Sequence, residues 1–218
     1  MALVDDQDVA KYEARRYRGP DQKWIDRRER AWVARQLPEM NLVRARVLDA
    51  PCGYGRFALQ IARHGAKVIC ADISAAMVGR ARTNVADAGK TALCVVMDIR
   101  HLPFRTGAFE ATLTMRLFHH GFARAEMAAI LAELARVSRR WVILSYYRHH
   151  ALHAWFRRLK GFSSRIRMLT DAEFEAELAG LPLRIHRREV ALPLLHAQTL
   201  VVLEKTGAGR QEPGSEKR

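Results

Sequence analysis

The 218-residue chain has little cysteine: Cys52, Cys70 and Cys94 are an odd number with no C-x-x-C spacing. That argues against both a disulfide framework and a zinc site, and no metal is expected. Cys70 and Cys94 sit in apolar runs and read as small core residues. The chain also lacks an apolar run of the roughly 18 to 20 residues that cross a bilayer, and its charged start, Met1 to Arg18, lacks the apolar stretch of a secretory signal. The expected location is the cytoplasm, with a peripheral position at the inner membrane surface left open. An acidic excess is absent too, since the net charge is +14. A surplus of that sign favours an anionic partner, such as nucleic acid, a membrane surface or an acidic substrate. The basic residues are 30 Arg against 7 Lys, a bias that genome composition alone also produces.

There are no repeats and no low-complexity core, and the length suits one domain with appendages. Residues 1–40 alternate Tyr12, Tyr17, Trp24, Ile25 and Trp32 with charged residues and read as a helical cap outside the main sheet. From Ala45 short β-rich runs (Val47 and Leu48, Val68 to Ala71, Leu93 to Met97, Ala111 to Met115, Trp141 to Leu144) alternate with helix-compatible stretches at Gly55 to His64, Ser74 to Ala88 and Arg124 to Val137. Such alternation predicts a parallel sheet covered by helices, here within a domain spanning 41–205. Thr170 with Glu173 is the side-chain pair of a capping box, so a short helix starts there and ends near Gly180. Leu183 to Val190 and Thr199 to Glu204 read as two closing strands, and the tail 206–218, rich in Gly, charge and polar residues, as disordered.

The chemistry gathers at three strand exits. In Val47-Leu48-Asp49-Ala50-Pro51-Cys52-Gly53-Tyr54-Gly55-Arg56 a buried strand runs through a glycine turn into a helix, so Gly53 and Gly55 let a ligand approach backbone amides. A bare G-x-G-x-x-A also matches a dinucleotide fingerprint. Asp49, four residues ahead of Gly53, separates the two readings: a carboxylate there repels a pyrophosphate and suits a cation. S-adenosylmethionine carries an ammonium and a sulfonium and no phosphate. The next strand, Val68 to Ala71, ends in Asp72, placed to accept hydrogen bonds from ribose hydroxyls, with Ile73 beside it to pack on adenine. The third, Val96-Met97-Asp98-Ile99, sets Asp98 to accept from the adenine amino group. Any one of these acids alone reads equally well as a helix N-cap or turn residue.

Taken in order, these motifs resemble the class I S-adenosylmethionine-dependent methyltransferases over roughly Ala45 to Leu144. The resemblance implies a Rossmann-like, doubly wound α/β fold, with a mainly parallel seven-stranded sheet, an antiparallel last strand and helices on both faces. It implies S-adenosylmethionine as cofactor, held by Asp49, Pro51, Cys52, Gly53, Gly55, Asp72, Ile73, Asp98, Ile99 and Met115. The family's first loop reads D/E-x-G-x-G-x-G; here Pro51 replaces its first glycine, removing one N–H donor and fixing φ. Glu110 stands where the fourth strand usually has Asp.

On the acceptor side, His119 and His120 follow that strand and either supply a general base or shape the wall of the site. Methyl transfer from a sulfonium is helped mainly by positioning, which favours the second reading. Arg116 either grips an acidic acceptor or points away, and Tyr12, Tyr17, Phe118 and Tyr146 are further acceptor-side candidates. Arg136 to Arg167 holds nine basic residues and no acid. Within it Leu152, Trp155, Phe156 and Leu159 fall on one helical face opposed by Arg157, Arg158 and Lys160. The insertion 148–180 is therefore a candidate acceptor lid; a membrane-surface contact, an RNA groove, and a helix packed on the sheet edge stay open. No RNA-binding module is appended, so a small-molecule or lipid-like, anionic acceptor leads. An RNA methyltransferase and a non-catalytic S-adenosylmethionine-binding protein are the alternatives.

Overall fold

The computed structural model describes residues 9, 11, 13, 19–149, 167–192 and 196–207. Helix α1, Pro20–Glu39, has Pro at its first turn, where a missing N–H costs nothing, and it buries Trp32, Val33 and Leu37. Strand β1, Arg46–Asp49, leads through the glycine turn into α2, Arg56–Arg63, and then β2, Lys67–Asp72. Helix α3, Ala75–Asp87, starts at Ser74, whose hydroxyl accepts from the Met77 amide at 3.3 Å. Next come β3, Leu93–Val96, β4, Phe109–Thr114, α4, Arg124–Val137, and β5, Ser138–Tyr147. The expected capping box does open a short helix: in α5, Asp171–Leu178, the Thr170 hydroxyl accepts from the Glu173 amide at 3.1 Å while Glu173 accepts from the Thr170 amide at 2.6 Å. Strands β6, Leu183–Leu192, and β7, His196–Lys205, close the chain.

The seven strands lie in the order β3-β2-β1-β4-β5-β7-β6. β1, β2, β3, β4 and β5 are mutually parallel, and β7 runs antiparallel to both β5 and β6. Alternation along the strands fills both faces. On β5, Trp141 and Ile143 join a core with Trp32, Leu37, Phe57 and Ile61 on the α1–α3 side, while Val142 and Leu144 join Ile130, Leu134, Phe174 and Leu178 on the other. Because the central strands are parallel, their carboxyl ends, the exits of β1, β2, β3 and β4, share one edge, and the order reverses at β1 and β4, the switch point at which open α/β sheets bind ligands. Asp49, Gly53, Asp72 and Asp98 all lie at that edge.

The N-terminal cap resolves into α1 and earlier helical residues at 9, 11 and 13, with Val9 buried and Glu13 bonded to Arg80 and Asn84 on α3. Tyr12 and Tyr17 lie outside the described residues, as do 150–166, with Trp155 and Phe156, and the tail from 208. Among the described residues no helix is long and apolar enough to cross a membrane, and no group of three or more His, Cys, Asp or Glu is placed to hold a metal ion.

Candidate functional site

The site is built on the turn between β1 and α2. Strand β1 brings Asp49 to the sheet's carboxyl edge with only 1% of its surface exposed. One carboxylate oxygen has no hydrogen-bond partner, although the Ala58 amide serves the carboxylate. Burial pushes its pKa well above the usual carboxylate range, the nearby Cys70 and Asp72 add to the shift, and Arg56 only partly opposes it. A buried carboxylate in that condition is a seat for a cation, because a positive ligand supplies both the missing hydrogen bond and the countercharge.

The turn itself is pinned from both sides. The Ala50 amide donates to the Leu113 carbonyl at 2.9 Å, the Thr114 hydroxyl to the Ala50 carbonyl at 2.8 Å, and the Cys52 amide to the Ala71 carbonyl at 2.8 Å. The Ala50–Pro51 bond is cis. The two glycines have different duties, which their spacing does not reveal. Gly53, at φ 52, has open space where a Cβ would stand, as a backbone approached by a ligand requires. At Gly55, φ 82, a Cβ would lie 2.9 Å from the Ala81 Cα, so this residue is glycine to let the turn pack on α3.

Asp72 ends β2 and accepts from the Gly53 amide at 2.9 Å and the Ser74 amide at 3.0 Å. Burial raises its pKa, with these amides pulling the other way. Its neighbour Ile73 is 38% exposed, which leaves its apolar side chain accessible to a flat apolar ring. Asp98 is engaged differently from the sequence expectation: Arg100 folds back on it with contacts of 2.6–3.0 Å and holds it below its ordinary range. Ile99 is half-buried against two of the cores, and Cys52 and Met115 are buried beside the turn.

Beyond β4, His119 and His120 place their rings 4.1 Å apart, with Tyr147 5.1 Å from His119. Phe118 and Tyr146 meet the expectation of an acceptor wall less well. Both are core residues, at 2% and 1% exposure, and Tyr146 stacks on Phe174 at 4.3 Å and donates to Asp171 at 2.8 Å. Arg116 bonds Glu29 of α1 at 2.7 Å and is nearly buried. Sequence reasoning missed Glu29, Asp26, Arg56 and Gln198, which come together from α1, α2 and β7. Only the packing of α1 over the turn unites them, and no local spacing signals it.

Residues 47–140 match the family described as a methyltransferase domain. The magnesium protoporphyrin IX methyltransferase of Arabidopsis thaliana chloroplasts is 28% identical over 108 residues, half of this chain, and the match spans about a third, 34%, of that protein's length. Among solved structures, the magnesium protoporphyrin IX methyltransferase of Synechocystis PCC 6803 with bound S-adenosylhomocysteine superposes with a TM-score of 0.77 at 22% identity, covering 93% of this chain and all of that one. A Clostridium acetobutylicum S-adenosylmethionine-dependent methyltransferase gives 0.69 at 12% identity over 93% and 99% of the two chains. At these identities the structural likeness speaks for the fold, a seven-stranded methyltransferase-type sheet, and the match to a methyltransferase domain rests on residues 47–140 of the chain.

Proposed function

We propose that the chain binds S-adenosylmethionine at the β1–α2 turn and catalyses transfer of its methyl group to a small or amphipathic, anionic acceptor. The observation that carries this reading is Asp49, a fully buried carboxylate with one unpartnered oxygen beside the open face of Gly53. Bound S-adenosylmethionine supplies an electrophilic methyl group on a sulfonium. The chain's own residues bind and orient: Asp49 takes the ammonium, the Gly53 backbone gives the methionine part room, Asp72 meets the ribose and Ile73 the adenine. A dinucleotide pyrophosphate is disfavoured by the same Asp49 charge. Calorimetric titration with S-adenosylhomocysteine and with NAD tests the cofactor; tight NAD binding without S-adenosylhomocysteine binding would reverse the reading.

The acceptor class rests on the net charge of +14 and on the names of the relatives, which act on magnesium protoporphyrin IX, an apolar macrocycle with anionic side chains. That compound is therefore the first probe, with tritiated S-adenosylmethionine and cell extract split into lipid, RNA, protein and small-molecule fractions as the wider search. Label in RNA would favour the RNA reading, and binding without any transfer the non-catalytic one. His119 and His120 form the acceptor-side wall and offer an imidazole to an acceptor that must lose a proton. The candidate acceptor lid is the insertion whose sequence sets Trp155 and Phe156 on one apolar helical face, with Tyr12 and Tyr17 as further acceptor-side candidates. Changing Trp155 and Phe156 together to Ser then weakens acceptor use much more than S-adenosylhomocysteine binding; unchanged acceptor kinetics in a folded double variant would end the lid reading.

A further inference from the structure

Glu29, in the middle of α1, is 0% exposed, a rare place for a carboxylate. Its two oxygens are fully used. One accepts from Arg116 at 2.7 Å and from Gln198; the other accepts from Arg56 at 2.6 Å. Asp26, one turn earlier on α1, binds Arg56 at 2.5 Å and Arg30 at 2.9 Å. Burial pushes the Glu29 pKa up, and Arg56, Arg116 and Gln198 more than offset it, so the group is held ionised.

The partners lie at the two loops of the site. Arg56 is the first residue of α2, directly after Gly55 of the turn, and its guanidinium also lies 4.1 Å from the Phe57 ring centre. Arg116 leaves β4 just before the loop that carries His119 and His120. It sits at φ 56, a conformation that a non-glycine residue keeps only where its surroundings impose it. Two contacts impose it here: the Arg116 amide donates to the Ser145 hydroxyl at 2.8 Å and its side chain is bonded to Glu29. Gln198 belongs to β7, the strand that backs β5. One carboxylate thus fastens α1 to the cofactor turn, to the acceptor loop and to the sheet.

We propose that Glu29 is a positioning residue that holds the cofactor turn through Arg56 and the acceptor loop through Arg116 in a single geometry, so that both halves of the site are set by one buried carboxylate. The inference rests on the methyl-transfer reading of this site for its consequence, but the fastening is measurable without it. A buried charge cluster used only for stability would be replaceable at the cost of folding free energy alone. A positioning cluster changes the site while the protein stays folded.

The test uses the full chain and Glu29→Gln, which keeps the shape and loses the charge, with Glu29→Asp as the conservative variant that keeps the charge if the first fails to fold. Glu204→Gln is the control. Glu204 is also buried and ion-paired, to Arg140 at 3.3 Å and Arg184 at 2.5 Å, but it lies at the opposite end of β5, across from Trp141. Two readouts are taken below each variant's melting transition: S-adenosylhomocysteine affinity by calorimetry, and hydrogen exchange of the amides in 52–58 and 116–120. Glu29→Gln should weaken S-adenosylhomocysteine binding by about tenfold, the loss expected when a preorganised loop is released. It should also speed exchange in both segments, with Glu29→Asp in between and Glu204→Gln unchanged in both readouts. Unchanged affinity and exchange in the folded Glu29 variants, or an equal change in Glu204→Gln, would overturn the proposal. If the unmodified protein binds no S-adenosylhomocysteine, the cofactor reading fails, and the exchange measurement alone then decides the fastening.

Discussion

Under the proposed function, Asp49 sets ligand binding against stability. An ionised carboxylate with an unpartnered buried oxygen destabilises the ligand-free fold, and removing its charge relieves that cost. Asp49→Asn is expected to raise the melting temperature of the ligand-free protein at a pH above the raised Asp49 value, by the equivalent of about 1 kcal/mol, while abolishing measurable S-adenosylmethionine binding. A variant that loses stability and still binds would show that the carboxylate is structural. The two glycines separate in the same manner. Gly55→Ala meets the Ala81 backbone in addition to an unfavourable φ, and should cost roughly 2 to 3 kcal/mol in urea unfolding; Gly53→Ala has only its φ to bear and should cost about 1 kcal/mol, its larger effect falling on cofactor affinity. The strand-end acids were legible in sequence because an acid after an apolar run is a local pattern. The different duties of Gly53 and Gly55 were not, because they depend on whether α3 or open space lies above the turn. Nor was the pairing of Asp98 with Arg100, a competition between neighbours that spacing does not resolve.

Helices and strands follow local rules where their ends are marked. Thr170 and Glu173 reciprocate across the first turn of α5, which buries Phe174 and Leu178 against the sheet, so Thr170→Ala should cost about 1 kcal/mol and lower the melting temperature without touching cofactor affinity. Scanning calorimetry with a parallel titration checks both halves. All seven strands were readable from hydrophobic runs, because β1, β2, β4 and β5 are buried on both faces and read as largely apolar segments, whereas the antiparallel closure came from the family resemblance. The cap was readable only as helical. Where α1 docks is decided by Trp32, Val33 and Leu37 meeting the core and by Glu29 meeting two arginines that lie 27 and 87 residues away in sequence. A pair of residues so separated has no signature in composition or periodicity.

Across the whole molecule the titrating groups pull in two directions, and their balance gives a pH dependence with a definite sign. Glu29 and Glu204, against the pull of burial, and Glu133, chiefly through its bond to Arg136, are all held below the ordinary carboxylate range by arginines. A group with a lowered folded pKa contributes stability that is present above its unfolded value, about 4.3 for Glu, and is lost as pH falls through the lower folded value. Acid should therefore unfold the protein below about pH 4.5. Asp49 and Asp72 act in the opposite sense: burial raises them, so the fold prefers their protonated forms, and their contribution declines as pH rises from the ordinary Asp value, about 3.9, to the raised folded value. A cationic ligand at Asp49 requires the ionised form, so binding expels the proton and affinity must rise with pH until Asp49 ionises without help. Saturating S-adenosylmethionine, at about a hundred times its Kd at neutral pH, should stabilise the protein there by about 2.7 kcal/mol and by less at pH 5. Thermal melts with and without ligand from pH 5 to pH 8 measure this. The expected result is a ligand-induced shift that grows with pH over part of that range, accompanied by proton release into the buffer. A flat profile without proton release would mean that no buried carboxylate is ionised on binding, and would remove Asp49 from the cofactor site.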